Sequence, residues 1–70
     1  MEMQMNTLAH STVDGRGVWL YQLVAPIGNI HVLDYEQKDL TIKRKLYDEQ
    51  ESRAEKDYVQ LIKKIAAGKL

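Results

Sequence analysis

The chain has no cysteine, no phenylalanine and only one proline among its 70 residues, and its charged side chains balance to a formal net charge of zero. Without cysteine, neither a disulfide nor a thiolate zinc site can stabilise the fold. The basic excess typical of nucleic-acid-binding proteins is also missing. No apolar run approaches the roughly 18 residues of a membrane helix, and no basic segment followed by an apolar one marks the N-terminus. We therefore expect one small globular domain located in the cytoplasm.

A chain this short can bury only a modest core. Its apolar residues make up 44% of the sequence, and a single core at this length supplies roughly 3 to 5 kcal/mol of stability. An enclosed active site of roughly several hundred cubic ångströms would take up much of that interior. We therefore predict that the protein is not an enzyme, holds no cofactor and works by binding a partner.

The first six residues, Met1–Asn6, show too little helix or strand periodicity to assign either. We predict a flexible arm over residues 1–6, followed by a single domain over residues 7–70. Because methionine adapts to irregular apolar surfaces, Met3 and Met5 are candidate contacts with a partner. The alternative is that these methionines are alternative starts, in which case the arm is incidental.

A β-hairpin is predicted over residues 18–36. The most β-prone segment is Val18–Ala25, and the turn signal Pro26-Ile27-Gly28-Asn29 separates it from Ile30–Glu36. Proline presets the first turn dihedral, and glycine accepts the left-handed position that follows. The segment Thr7–Val13, which precedes the turn signal Asp14–Gly17, indicates a further edge strand that would extend the hairpin to a three-stranded meander.

Both faces of the first hairpin strand are apolar. Trp19, Tyr21 and Leu23 share one face, whereas Val18 and Leu20 lie on the other. Such a strand is either central in the sheet or leaves one face for something other than its own core. We expect Trp19 to pack in the core, since the chain has few large apolar side chains; an exposed Trp19 would instead be an interface anchor.

A helical region is predicted over residues 40–67, which contain no glycine or proline. Asp39 is a good N-cap for it, and Gly68 supplies a stop. Packed on the hairpin, this region gives an α+β fold. An apolar stripe recurs along it every seven residues, at Leu40, Tyr47, Ala54 and Leu61.

The middle of the helical region leaves two alternatives open. Residues 48–53 are all polar and offer no core position. One long or bent helix is favoured by good helix formers and by opposite charges at helical spacing. Alternatively, the chain breaks near residues 48–51 and a second helix begins at a capping box formed by Ser52 and Glu55.

One charge cluster stands out, Lys43-Arg44-Lys45. In the first turns of a helix these cations oppose the helix dipole, which a partner with phosphates or an acidic surface would explain. The alternative is neutralisation by Asp48 and Glu49 one turn further on. With the methionines of the arm, the predicted partner-binding residues are Met3, Met5, Lys43, Arg44, Lys45 and Arg53.

No catalytic or metal-binding residues are predicted. His10 and His31 lie far apart in the sequence, with no cysteine and no carboxylate at ligand spacing. The paired carboxylates, such as Asp34 and Glu36, lack a cleft that would separate their pKa values. The segment Asp14–Gly17 is a turn, because it lacks the Gly-Lys-Ser/Thr end of a phosphate-binding loop.

The layout resembles the small proteins with which bacteriophages take over a host machine, including those that bind bacterial RNA polymerase. The features that carry the resemblance are the short cysteine-free chain, the Met1–Asn6 start, the hairpin Val18–Glu36 and the charged helix. The resemblance implies a regulator that inhibits or redirects host transcription by occupying a polymerase surface in the host cytoplasm. It contains no motif from which individual residues can be transferred.

Two further hypotheses belong to other classes. A small nucleic-acid-binding transcription regulator would contact phosphates through Lys38 and the cluster Lys43-Arg44-Lys45. A homo-oligomer would associate through the stripe of Leu40, Tyr47, Ala54 and Leu61. Salt dependence of binding distinguishes the first from a protein-binding regulator, and sedimentation at two concentrations tests the second.

Overall fold

The computed structural model describes residues 4–26 and 28–70. Four strands form one antiparallel sheet in the order β1-β2-β3-β4, and one helix packs on a single face of it. The predicted α+β class, with a β-meander and a C-terminal helix, is confirmed, and the meander has a fourth strand. The elements are β1 (Gln4–Val13), β2 (Arg16–Ala25), β3 (Gly28–Glu36), β4 (Ile42–Tyr47) and α1 (Glu51–Ala66).

The turns between the first three strands follow the predicted signals. Asp14 and Gly15 both have positive φ, 54° and 74°, which is the conformation of the two-residue turn that matches the twist of a hairpin. The pairing of β2 with β3 begins at Ala25 opposite Gly28, and Ile27 lies outside the described residues. The predicted hairpin over residues 18–36 is therefore confirmed, and the predicted edge strand before it forms β1.

The boundary predicted between a flexible arm and the domain is wrong. Gln4, Met5 and Asn6 belong to β1, where Gln4 lies opposite Val24 and Met5 opposite Leu23. The physical reason is the length of β2, whose ten residues offer main-chain hydrogen bonds that β1 satisfies along most of its own length. The prediction for Met3 stays a prediction, because Met3 lies outside the described residues.

The helical region predicted from residue 40 is also wrong over its first part. Leu40 has a φ of 67°, which a right-handed helix excludes, and Ile42–Tyr47 forms strand β4. Asp39 is not an N-cap, because a strand and not a helix follows it; its Oδ1 accepts hydrogen bonds from the Thr41 backbone N–H at 3.1 Å and from Thr41 Oγ1 at 2.6 Å. A local turn therefore replaces the predicted helix start and delivers β4 to the free edge of β3.

The helix itself begins at Glu51 and ends at Ala66. The alternative with a break near residues 48–51 is therefore right about the break and wrong about a helix before it. Gln50 occupies the N-cap position without a side-chain hydrogen bond, so Ser52 does not form the predicted capping box. Gly68 supplies the predicted stop, with a φ of 73° and a hydrogen bond from its N–H to the Ile65 carbonyl oxygen.

The core lies between α1 and one face of the sheet. Val18 and Ile65 are almost fully buried, at 0% and 1% exposure. Three of the four stripe residues are buried inside this same chain, whereas Leu40 is exposed, so the stripe is not a surface for homo-oligomerisation. Within the described ranges, no helix is both long and apolar enough to cross a bilayer. The core residues are Val18, Leu20, Leu33, Tyr47, Ala54, Tyr58, Leu61 and Ile65.

Candidate functional site

The face of the sheet opposite α1 has no covering layer among the described residues. Directly paired residues of an antiparallel sheet share a face, so the register identifies which side chains lie there. One row across the four strands contains His10, Trp19, Asp34 and Arg44, and the next contains Thr7, Tyr21, Val32 and Leu46. We call this surface the open face; its other members include Met5, Leu23, Ile30 and Ile42.

Large apolar side chains of the open face are exposed to solvent. Leu46 is 64% exposed, Ile42 53% and Met5 50%. Strands of about ten residues that lie about 4.8 Å apart give the whole face, including its polar side chains, an area on the order of 500 Å². Exposed apolar side chains that share a face without a covering layer often mark a binding surface. The open face is therefore the leading candidate for a binding surface.

Trp19 has a fixed position at the centre of one row. Its indole stacks on the imidazole of His10, with ring centroids 5.1 Å apart and planes 6° from parallel. The indole also lies against Gly17, where an added Cβ would overlap its Cη2 and Cζ2 atoms. The Gly17 N–H donates to Glu36 Oε1 at 2.7 Å. Trp19 is therefore a half-buried, positioned aromatic on the open face and not a residue of the helix-side core.

An ion pair lies beside this aromatic pair. The Arg44 guanidinium donates to both oxygens of Asp34, from Nε to Oδ1 and from Nη2 to Oδ2, each at 2.8 Å. Asp34 is buried, whereas the Arg44 side chain is 56% exposed. The hydrogen bonds and charge of Asp34 raise the pKa of Arg44. Arg44 is thus on the candidate surface, but Asp34 neutralises its charge there.

The predicted cation cluster is divided by the strand. Because successive side chains of a strand point to opposite faces, Lys43 and Lys45 lie on the helix side, away from Arg44. They flank a groove of 420 Å³ between β4 and α1, whose lining includes Leu33 and Leu61. The partners predicted at Asp48 and Glu49 are replaced by Asp34 for Arg44 and by Asp57 for Lys45.

The last predicted contact, Arg53, does not join either surface. It lies exposed in the first turn of α1, where its Nη1 is 3.5 Å from the Gln50 side-chain oxygen. The structure therefore places Met5 and Arg44 on the same face but in opposite edge strands, places Lys43 and Lys45 at the groove, and leaves Arg53 apart. The predicted partner-binding set is not one site.

A polar cluster joins β4 to α1 beside the groove. The Tyr47 hydroxyl donates to Asp57 Oδ2 at 2.5 Å, and the Lys45 ammonium is 3.5 Å from the same oxygen. Burial and the bond to Asp57 raise the pKa of Tyr47 well above its usual range. The same bond, with help from Lys45, lowers the pKa of Asp57. This cluster fixes the edge strand to the helix.

The two histidines lie on opposite faces of the sheet. His31 is buried on the helix side, with Nδ1 3.1 Å from the Asp48 carbonyl oxygen and with no hydrogen-bond partner for Nε2 among the described residues. His10 stacks on Trp19 on the open face. Nor does the described part of the chain bring together three histidine, aspartate or glutamate side chains in a group that could hold a metal ion.

Sequence reasoning missed the open-face residues of β4 and the role of His10. The signal for β4 was the alternation of Ile42, Arg44 and Leu46 with Lys43 and Lys45, which has the two-residue period of a strand. The stripe at seven-residue spacing favoured a helix instead. The signal for His10 was its register across the Asp14-Gly15 turn, which places it opposite Trp19.

Comparisons with known proteins add no assignment to this geometry. No protein-family model, curated protein or solved structure matches the chain. The function is therefore inferred from the surface itself.

Proposed function

We propose that this protein is a non-enzymatic binding protein whose open face docks on an apolar surface of a larger protein. The observation that carries the proposal is the exposure of Ile42 and Leu46 on the same face as the fixed Trp19. Aromatic anchors surrounded by apolar side chains supply most of the free energy in protein interfaces. An open face of this size is somewhat smaller than the roughly 800 Å² per partner of a standard interface.

The charges of the open face specify what kind of surface it fits. Arg44 is the only lysine or arginine that the described strands place on this face, and Asp34 already pairs with it through two hydrogen bonds. Glu36, which lies on the same face opposite Ile42, accepts a hydrogen bond from the Gly17 N–H, so docking buries charged groups that already have partners in the protein. The complementary partner surface is apolar and carries few unpaired charges.

Bacterial RNA polymerase is the first partner to test. The resemblance to small bacteriophage regulators supports this choice, and it implies that binding inhibits or redirects transcription in the host cytoplasm. In the open-face arrangement, the regulator acts by covering a polymerase surface and needs no chemistry of its own. The polymerase is one candidate within the broader proposal of an apolar protein partner.

A nucleic-acid-binding regulator is the second candidate function. The rings of His10, Trp19 and Tyr21 on one face are suited to stacking with unpaired bases. Phosphate binding also requires cations, and Lys43 and Lys45 lie on the opposite side of the sheet from these rings. A protein partner is therefore favoured, and nucleic-acid binding becomes one outcome of the test.

The test measures binding of the full chain to purified bacterial RNA polymerase. The variant Ile42→Glu/Leu46→Glu places two charges on the open face and should weaken binding at least about tenfold. Val59→Glu is the matched control, because Val59 is 46% exposed on α1 and lies on the other layer. Circular dichroism of each variant establishes that it is folded.

Other outcomes discriminate between the candidates. If the polymerase does not bind, a protein captured from a bacterial lysate is identified, purified and tested against the same two variants. Equal binding by the open-face variant and the Val59→Glu control contradicts the proposed surface. Binding to a single-stranded oligonucleotide that weakens steeply between about 50 and 200 mM salt assigns the face to nucleic acid instead.

A further inference from the structure

The edge strand β4 is a second candidate binding element. It is the last strand in the sheet order, so the main-chain groups on its outer side have no strand partner among the described residues. All of its residues except Tyr47 are exposed. It contains no proline and its pairing with β3 has no bulge, whereas the other edge, β1, is interrupted by a bulge between Thr7 and Ala9. Regular edges of this kind accept an additional strand.

The charges of β4 argue against a second copy of the chain as that strand. In antiparallel self-pairing centred on Arg44, Lys43 lies opposite Lys45 and Arg44 lies opposite itself. Like charges directly opposite each other destabilise a strand pair. Lysines on an edge strand are a common means of preventing such self-association. The edge is therefore suited to a strand of different sequence.

The two sides of β4 specify the sequence pattern of that strand. On the helix side it presents Lys43 and Lys45, and on the open-face side it presents Ile42 and Leu46 with Arg44 between them, whose charge Asp34 already pairs. We propose that β4 accepts an extended segment of a partner protein as a fifth strand, with acidic side chains opposite the lysines and apolar side chains opposite Ile42 and Leu46. Cross-strand pairs of opposite charge and of apolar residues stabilise such an arrangement.

The groove beside β4 supports the acidic half of this pattern. It holds 420 Å³ between the strand and α1, and Lys43, Lys45 and Lys64 all line it. Lys45 already has a carboxylate, that of Asp57, 3.5 Å from its ammonium. Within the described residues, Lys43 and Lys64 form no ion pair. Acidic side chains of an added strand would therefore meet two available cations.

This inference rests on the proposed function, because Ile42 and Leu46 belong to both surfaces. A partner segment paired with β4 continues the sheet, so that its apolar side chains extend the open face by one strand. The main-chain hydrogen bonds of the pairing supply affinity, and the alternating side chains supply specificity. The partner of the open face is thereby defined more closely as a protein with an exposed acidic and apolar strand or extended tail.

The experiment titrates the full chain with a capped nine-residue peptide in which glutamate and valine alternate. Two comparison peptides are used, one with the same composition but with the glutamates grouped together, and one in which lysine replaces glutamate. The alternating glutamate peptide should shift the backbone amide NMR signals of Ile42–Tyr47 and slow their hydrogen exchange, with little change in β1. The grouped and lysine peptides should bind at least about tenfold more weakly.

A charge reversal on the protein checks the pairing from the other side. Lys43→Glu should weaken binding of the glutamate peptide by about tenfold and strengthen binding of the lysine peptide. Lys56→Glu is the matched control, because Lys56 is exposed on α1 and is not among the residues that line the groove. It should leave both affinities within about twofold of those of the unmodified protein.

Equal affinity for the alternating and grouped peptides, or amide shifts at the other edge strand β1 and not in β4, would overturn the inference. So would the absence of binding at millimolar peptide concentrations. These outcomes leave the proposed function standing, because a different measurement tests it. That measurement is whether Ile42→Glu/Leu46→Glu weakens partner binding. A partner that still requires the open face, combined with a peptide that does not bind β4, retains the first proposal and removes the second.

Discussion

The two faces of the sheet come from the same strands and differ in what covers them. In β2, Val18 is fully buried under α1, whereas its neighbour Trp19 is half-buried on the open face. On the covered face, Leu20 and Leu33 of the central strands are almost fully buried. On the open face, Val32 of the central strand β3 is also buried, whereas Ile42 and Leu46 of the edge strand β4 are more than half exposed. One helix covers only one face, so the fold obtains its core from the first face, and the second has no covering layer among the described residues.

Buried charges on the two faces are satisfied in different ways. On the covered side, Arg16 donates to the main-chain oxygens of Glu36 at 2.9 Å and of Leu70 at 2.6 Å, which fixes Leu70 against the sheet. On the open face, the carboxylate of Asp34 is satisfied by the side chain of Arg44. The first arrangement is structural, whereas the second leaves the outer side of a guanidinium on a surface proposed to dock.

The largest difference is expected between matched truncations on the two faces. Ile65→Ala removes a side chain that is 1% exposed in the helix-side core and should destabilise the protein by about 2 to 5 kcal/mol. Leu46→Ala removes one that is 64% exposed and should change stability by no more than about 0.5 kcal/mol. Urea unfolding of the two variants measures both free energies.

One result for these two truncations would contradict the difference between the faces. A loss for Leu46→Ala as large as that for Ile65→Ala means that the open face is already buried in the free protein. Self-association then becomes the explanation, and sedimentation at two concentrations detects it. A small loss for Leu46→Ala together with weaker partner binding supports the division of roles between the faces.

An intermediate effect is expected from the ion pair of the open face. Arg44→Met leaves the buried Asp34 without either of its two hydrogen bonds, and this should cost about 1 to 3 kcal/mol. Asp34→Asn in the same chain removes the unpaired charge and should restore part of the loss. A double-mutant cycle by urea unfolding gives the coupling between the two positions. Additive effects would mean that the pair contributes nothing to the free protein.

The sequence predicted the elements that depend on local chemistry. The Asp14-Gly15 turn and the hairpin over residues 18–36 follow from glycine, proline and β-branched residues at fixed positions. The apolar character of both faces of β2 left open a central strand or a free face; β2 is central in the sheet order, and its Trp19 face lies outside the helix-side core. The register across the Asp14-Gly15 turn also places His10 opposite Trp19, so this contact was predictable from the turn alone.

The features that the sequence did not predict are determined by contacts between elements that are distant in the chain. Residues 40–47 lack glycine and proline, which permits a helix, but β3 would otherwise expose its edge, and Ile42–Tyr47 pairs with it instead. That change also moved Lys43 and Lys45 away from Arg44. In β1, the bulge at Leu8 changes the register with β2 and has no local sequence signal. The side of the sheet on which α1 packs is likewise a long-range property.

The smallest expected effect is a pH dependence of folding stability, which arises from the hydrogen-bonded pair of Tyr47 and Asp57 on the covered side. The hydrogen bond from Tyr47 lowers the pKa of Asp57, so the folded protein binds this proton more weakly than the unfolded chain does. Asp57 therefore contributes to folding stability above a pH of about 4, the ordinary pKa of the carboxyl in the unfolded chain. This contribution is lost as the pH falls through the lower pKa that Asp57 has in the folded protein. Burial and Asp57 raise the pKa of Tyr47, so the corresponding contribution is present below a pH of about 10 and is lost above it.

The variant Tyr47→Phe tests the losses of stability at both acidic and alkaline pH, because it removes the hydroxyl and keeps the ring. It should reduce the loss of stability in acid and in alkali, with a cost near neutral pH of about 1 kcal/mol or less, since Asp57 is partly exposed. Part of the loss in acid should remain, because hydrogen bonds from Thr41 also lower the pKa of Asp39. Urea unfolding at acidic, neutral and alkaline pH measures the slopes, and a variant with both slopes unchanged would show that this bond does not link β4 to α1. Since the bond lies on the covered side, the same variant should leave partner binding by the open face unaltered.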